Sequence, residues 1–130
     1  MNDVATHTTR GIQVDVTSHF LPSHSSPRDG RWVYGYCVTI SNVDSKPATL
    51  RSRHWIISNA DGIVSEVRGA GVVGEEPRLA KGESFSYTSG CPLDTPFGTM
   101  HGTYRFESDD GEMFDVKVPT FRLAMPYAVN

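Results

Sequence analysis

Apolar and polar residues alternate along most of this chain. Ile12, Val14 and Val16 interleave with Gln13, Asp15 and Thr17, the period-two pattern of a strand with one face toward a core. Trp32, Tyr34, Tyr36, Val38 and Ile40 share one face of a second strand, with Val33, Gly35, Cys37 and Thr39 on the other. Five large apolar side chains in phase would not be left in water, so that face is predicted to be core and Cys37 to look away from it. A third strand runs from about Ala48 to Ser58. Leu50 is out of phase there with Trp55 and Ile57, which predicts a bulge near Arg51 to Arg53. Ile63 to Arg68 forms a fourth strand. A fifth follows Leu79, with Phe85 and Tyr87 inward. A sixth carries Met100, Gly102, Tyr104 and Phe106 on one side, and a seventh carries Phe114, Val116 and Val118.

The segments between them have turn chemistry. Leu21 to Gly30 holds two prolines and an Asp-Gly stop. Asn59-Ala60-Asp61-Gly62 and Asp109-Asp110-Gly111 are tight turns, and Cys91 to Gly98 is a second proline-rich loop. Pro119 lacks an N–H, so Thr120 to Tyr127 is predicted to be at most a short edge strand. No helical period appears. The prediction is an all-β chain, a two-sheet immunoglobulin- or fibronectin type III-like sandwich of seven to eight strands. Residues 1–10 are polar and expected to be a flexible N-terminal segment, and residues 11–127 a single sandwich domain.

The chain has 130 residues, enough to bury a core without a metal or disulfide. Its net charge of -3 argues against non-specific nucleic-acid binding, which needs a basic footprint. No apolar run approaches a bilayer span and the N-terminus lacks the apolar stretch of a signal peptide, so no membrane insertion is expected and the setting is read as cytoplasmic. Cys37 and Cys91 miss the spacing of an immunoglobulin disulfide and are expected as free thiols.

Several residues invite a chemical reading. Gly69-Ala70-Gly71-Val72-Val73-Gly74 spells G-x-G-x-x-G. In a dinucleotide fold such glycines open a helix whose amides hold a pyrophosphate. Here Glu75-Glu76-Pro77 and then Gly82 follow, so an inter-strand loop is the better reading, and phosphate or nucleotide binding by the Gly69–Gly74 loop stays an alternative. His19 and His24 lack the Cys or His partners of a zinc site. Glu75-Glu76 and Asp109-Asp110 lack the ligand number of a calcium loop. Cys91 with a histidine is the one candidate nucleophile pair, without local support. Arg51 and Arg53 flank the bulge beside His54 and Trp55. Turned outward, they could grip an acidic partner. Alternatively, Arg53 lies over the aromatic cluster and pairs with a nearby carboxylate. The candidate binding residues are Gly69, Gly71, Gly74, Glu75, Arg53 and His101. No catalytic residue, metal ligand or cofactor is assigned.

The runs His54 to Gly62 (HWIISNADG), Glu66 to Pro77 (EVRGAGVVGEEP) and Gly82 to Gly102 (GESFSYTSGCPLDTPFGTMHG), with the ending Phe114 to Met125, resemble the bacterial ApaG family. The resemblance covers about Thr9 to Pro126, and its Y-T-S-G-C-P-L block is highly specific. Ala70 stands where the family often has proline, and Asn59 where it often has aspartate. The resemblance implies a fibronectin type III-like sandwich and a protein linked by name to cobalt resistance and magnesium efflux. Similar domains at the ends of eukaryotic F-box proteins and of a DNA-polymerase-interacting protein look like protein-binding modules. The expected function is therefore non-enzymatic binding of a protein partner yet to be identified, with a homodimer left open. An indirect role in cobalt or magnesium homeostasis through weak metal binding is the alternative.

Overall fold

The computed structural model describes residues 4–125. Its strands are β1 (Ala5–Thr9), β2 (Ile12–Phe20), β3 (Trp32–Asn42), β4 (Ala48–Asn59), β5 (Val64–Ala70), β6 (Arg78–Leu79), β7 (Ser84–Leu93), β8 (Phe97–Ser108) and β9 (Met113–Ala124). The only helical pieces among the described residues are two single 3-10 turns, Pro22–His24 and Pro27–Asp29. One antiparallel sheet has the order β1-β2-β3-β7. The other has the order β5-β4-β8-β9, with β6 paired to the start of β4. The two sheets pack face to face around one core.

The alternation chose the right faces. Tyr34, Tyr36, Val38 and Ile40 are buried from one sheet, and Leu50, Trp55, Tyr104, Phe106 and Val116 from the other. Trp32 and Phe85 lie at the margin, partly buried against the same cluster. Two buried hydroxyls meet across the core, Tyr87 with Tyr104, so neither is left without a partner. The predicted bulge is present. The pairing of β4 with β8 shifts between Leu50 and Ser52, leaving Arg51 outside the ladder.

Nine strands form among the described residues rather than seven to eight, and the stretch 1–10 includes a paired strand. Residues 1–3 lie outside the described residues, but Ala5–Thr9 pairs with β2 over its whole length. Its sequence, ATHTT, has no apolar alternation because only its backbone is recruited; its side chains are largely exposed. The two-residue β6 is too short to show a period. Both proline-bearing segments also extend strands. Pro92 sits in β7 at the rim of its sheet. Pro119 sits in the edge strand β9, at the shift between Met100 and Gly102 of β8. These are the places where a missing N–H costs no ladder bond. The predicted limit of the domain at residue 127 lies outside the described residues.

The two long edges of the sandwich differ. On one side β9 packs against β1 and β2. There the Thr9 hydroxyl accepts the Lys117 N–H at 3.2 Å, and the Ser18 hydroxyl donates to the Arg122 carbonyl at 2.5 Å. That seam is closed. On the other side stand β5 and β7, each the last strand of its sheet, and nothing among the described residues bridges them.

Candidate functional site

The open side forms a cleft of about 880 Å³. One wall is the inward face of β4 and β5, with Trp55, Ile57 and Val67, continued by Ile63 just before β5. The other is β7 from Ser89 to Leu93. Tyr36 and Met100 close the inner end, and Asp29, Arg31 and Asp94 stand at the rim. Register puts Trp55 opposite Val67 and Ile57 opposite Ser65. Val67 is 45% and Ile63 64% exposed although both line the cleft. β5 therefore projects past the opposite sheet, and its apolar side chains have nothing to pack on.

Arg53 belongs to this cleft. It is in phase with Trp55 and Ile57, so its side chain turns inward rather than out. It faces Gly69 in the pairing of β4 with β5, and its guanidinium lies where a Cβ on residue 69 would be, 2.8 Å from that point. Nη1 donates to the carbonyls of Ala70 at 2.9 Å and Gly71 at 3.0 Å. Arg53 borders the cleft with Tyr36, but the cation–π contact formed among the described residues is that of Arg10 over Phe114. The expected carboxylate partner is not found either: among the described residues no acidic side chain pairs with Arg53. Arg51, set outside the ladder by the bulge, behaves oppositely. It binds Glu107 at 3.0 Å and Glu76 at 3.1 Å, and these hydrogen bonds raise its pKa.

The glycine motif divides between two structures. Gly69 ends the inner face of β5. Gly71 and Gly74 shape a two-residue hairpin in which Val72 and Glu75 exchange backbone hydrogen bonds of 2.9 and 2.8 Å. Val73 (φ 44°) and Gly74 (φ 82°) at its tip are both left-handed, the pattern of a type I′ turn. Gly71, at φ 61°, runs against the Glu75 carbonyl, leaving no space for a side chain. Val72 is fully buried and nails the hairpin to the core. The Gly71 N–H reaches the carbonyl of the bulged Arg51 at 2.8 Å. No helix follows; the chain passes into β6, so the amide array of a dinucleotide loop is absent here.

The other sequence candidates are dispersed. His101 faces Ile56 on the outer surface of the same sheet, away from the cleft. A shallower hollow of about 410 Å³ there holds His54, Arg68, Arg105 and Asp115. Its charges pair internally: His54 with Glu66 at 2.6 Å, Arg68 with Glu66 at 3.4 Å, Arg105 with Asp115 at 3.2 Å. The hydrogen bond from His54 holds the Glu66 carboxyl below its ordinary pKa, with Arg68 adding to it. Three of the four carboxylates of the two acidic pairs are tied down, and Glu75, beside the hairpin tip, forms no ion pair among the described residues. Asp109 binds Arg78 at 2.5 Å, Asp110 binds Lys46 at 3.0 Å, and Glu76 binds Arg51. Among the described residues no three His, Cys, Asp or Glu side chains gather as metal ligands.

The two thiols are free. Residue parity sends them to opposite faces, Cys37 outward and Cys91 to the inner wall of the cleft. Burial pushes the Cys91 thiol up to about 11, which leaves it a poor nucleophile at neutral pH.

The family model for the ApaG domain matches residues 22–108. Protein ApaG of Aromatoleum aromaticum is 49% identical over 119 residues, covering 92% of this chain and 94% of that protein. Protein ApaG of Methylobacterium sp. (strain 4-46) is 53% identical, covering 92% of each. A crystal structure of an ApaA protein from Bordetella pertussis superimposes with a TM-score of 0.86 at 50% identity, covering 88% of this chain and 94% of that one. The C-terminal domain of wzt shares the fold alone, with a TM-score of 0.54 at 11% identity.

Proposed function

Because this chain belongs to the ApaG domain family and its sandwich stands open between β5 and β7, we propose that it is a non-enzymatic module that binds another protein through that cleft. The observation that carries this reading is the exposed inner face of β5. A strand that holds Val67 over an 880 Å³ cleft, with Ile63 just before it, exposes apolar area that association would remove from water. An exposed sheet edge and a groove beside it are common peptide- and protein-recognition surfaces. The thiol in the cleft supports binding rather than chemistry, since its pKa lies far above neutral. The proposal includes a cytoplasmic setting, which two free thiols suit. Among the described residues no helix is long and apolar enough to cross a membrane. Among the described residues the metal-linked role has no grouping of donor side chains to support it, and the nucleotide role has no helix at the glycine loop.

Site-specific photo-crosslinking in living bacteria tests this. A photoreactive residue at Ser65, exposed inside the cleft, is compared with one at Thr88, exposed on the outer face of β7. The expected result is a discrete crosslinked protein at Ser65 only, lost when Val67→Asp puts a charge in the cleft. Identical products at both positions, or none at Ser65, would overturn the reading.

A further inference from the structure

We propose that the occupant of the cleft is an extended segment of its partner that adds as a strand to the free edge of β5 and places a carboxylate on Arg53. This rests on the protein-binding reading above and specifies its partner chemistry. Four strands end the two sheets. Folded proteins commonly blunt such edges with lysine, proline, bulges or cover. β9 and β1 cover each other at the closed seam, and β7 carries Pro92. β5, with the sequence VSEVRGA, has no lysine and no proline. It pairs with β4 through seven consecutive residues without a bulge, Ser52 with Ala70 to Ser58 with Val64. Its two charged side chains, Glu66 and Arg68, lie on the face opposite Val67 and pair with each other, which leaves β5 the least guarded edge for one more strand.

The inner side chains of such a strand fall at alternate positions. The residue beside Val67 would pack against that side chain, and the residue beside Ser65 would fall between exposed Val67 and Ile63, so both sites favour apolar side chains. The position beside Gly69 differs. There the sheet supplies no side chain of its own, and the Arg53 guanidinium fills the space. Nη1 is engaged by two carbonyls, and among the described residues no carboxylate pairs with the charge. A carboxylate two residues from the first apolar side chain completes the arrangement, giving an acid-x-apolar-x-apolar pattern or its reverse.

The test uses two capped synthetic peptides with the isotopically labelled full chain. One alternates threonine with glutamate, valine, valine and isoleucine in that order, and the other reverses the order. Each has a counterpart with glutamine in place of glutamate. NMR titration and amide exchange should show at least one glutamate peptide shifting and protecting Val64 to Ala70. The matching glutamine peptide should bind about tenfold weaker, the scale of losing one charge-assisted hydrogen bond. Val67→Asp should abolish binding, and Arg53→Gln should remove the preference for glutamate. The glutamine peptides keep the protein intact, so the test holds even where Arg53→Gln disturbs the fold. Equal binding of both members of each pair, protection on β7 instead of β5, or no binding by any peptide would overturn the inference. If the Ser65 crosslink persists in those cases, the cleft still binds protein in another way. If it too is absent, both readings fall.

Discussion

At the scale of single residues, the hairpin tip is the most strained point. Val73 holds φ at 44°, a region that branched side chains enter at a cost of about 1–3 kcal/mol. It is 55% exposed, so little packing compensates. Asn-Gly is the favoured pair for such a turn, and Gly74 already supplies the glycine. Val73→Asn is therefore expected to stabilise the fold by about 1 kcal/mol in urea denaturation. A loss of stability would show that the valine side chain holds a contact that outweighs the strain. Arg53 shows the same sensitivity to local geometry. It is two residues from Trp55 and four from Ile57, so its inward direction was legible in the alternation of β4. The usual outward habit of arginine kept an outward reading beside it. That Gly69 leaves it room could not be read, because the register of β4 against β5 is set by the turn at Asn59 to Gly62 and by the bulge at Arg51.

At the scale of elements, the strands with one clean apolar face were readable, and those defined by their neighbours were not. β3 carries five inward apolar side chains and β8 three, interleaved with inward Gly98 and Gly102, and the sequence places both strands within a residue or two. β1 has no such face and exists because the outer edge of β2 offers it backbone partners. β7 and β9 continue through Pro92 and Pro119 because both are edge strands, and edge status is a property of the assembled sheet. The cleft was illegible for the same reason: it is the gap between two strands distant in sequence that fail to meet. Spacing within the central sheet is tight enough to test. A Cβ at Gly102 would collide with the backbone carbonyl of His54 on β4, which cannot rotate away as a side chain could. Gly102→Ala is expected to cost about 3 kcal/mol or more. A loss below about 1 kcal/mol would mean that β4 and β8 separate more readily than their pairing indicates.

For the whole molecule, the buried acids predict an alkaline limit. Burial raises Cys91 from 9.0 to about 11. Burial also raises Tyr87, Tyr104 and Tyr36 above their ordinary value of 10.0. The unfolded chain releases these protons first, so the neutral forms favour folding only while the unfolded groups also stay protonated. Their contribution is complete below about pH 9 and declines as pH climbs through 9.0 toward 11 and beyond. Urea midpoints measured in high salt should hold steady from neutrality to about pH 9 and then fall; a flat profile to pH 11 would contradict the burial of these groups. The seam on the far side of the molecule has a different consequence. Ala5 lies opposite Val16 on β2, and Ser18 of the same strand holds Arg122 of β9, so the two ends of the described chain leave at one place, across the sandwich from the cleft. A tag, a surface anchor or another folded unit could be spliced on at either end without shading the mouth that faces the other way. The cleft proposed above for binding would stay uncovered in such a fusion.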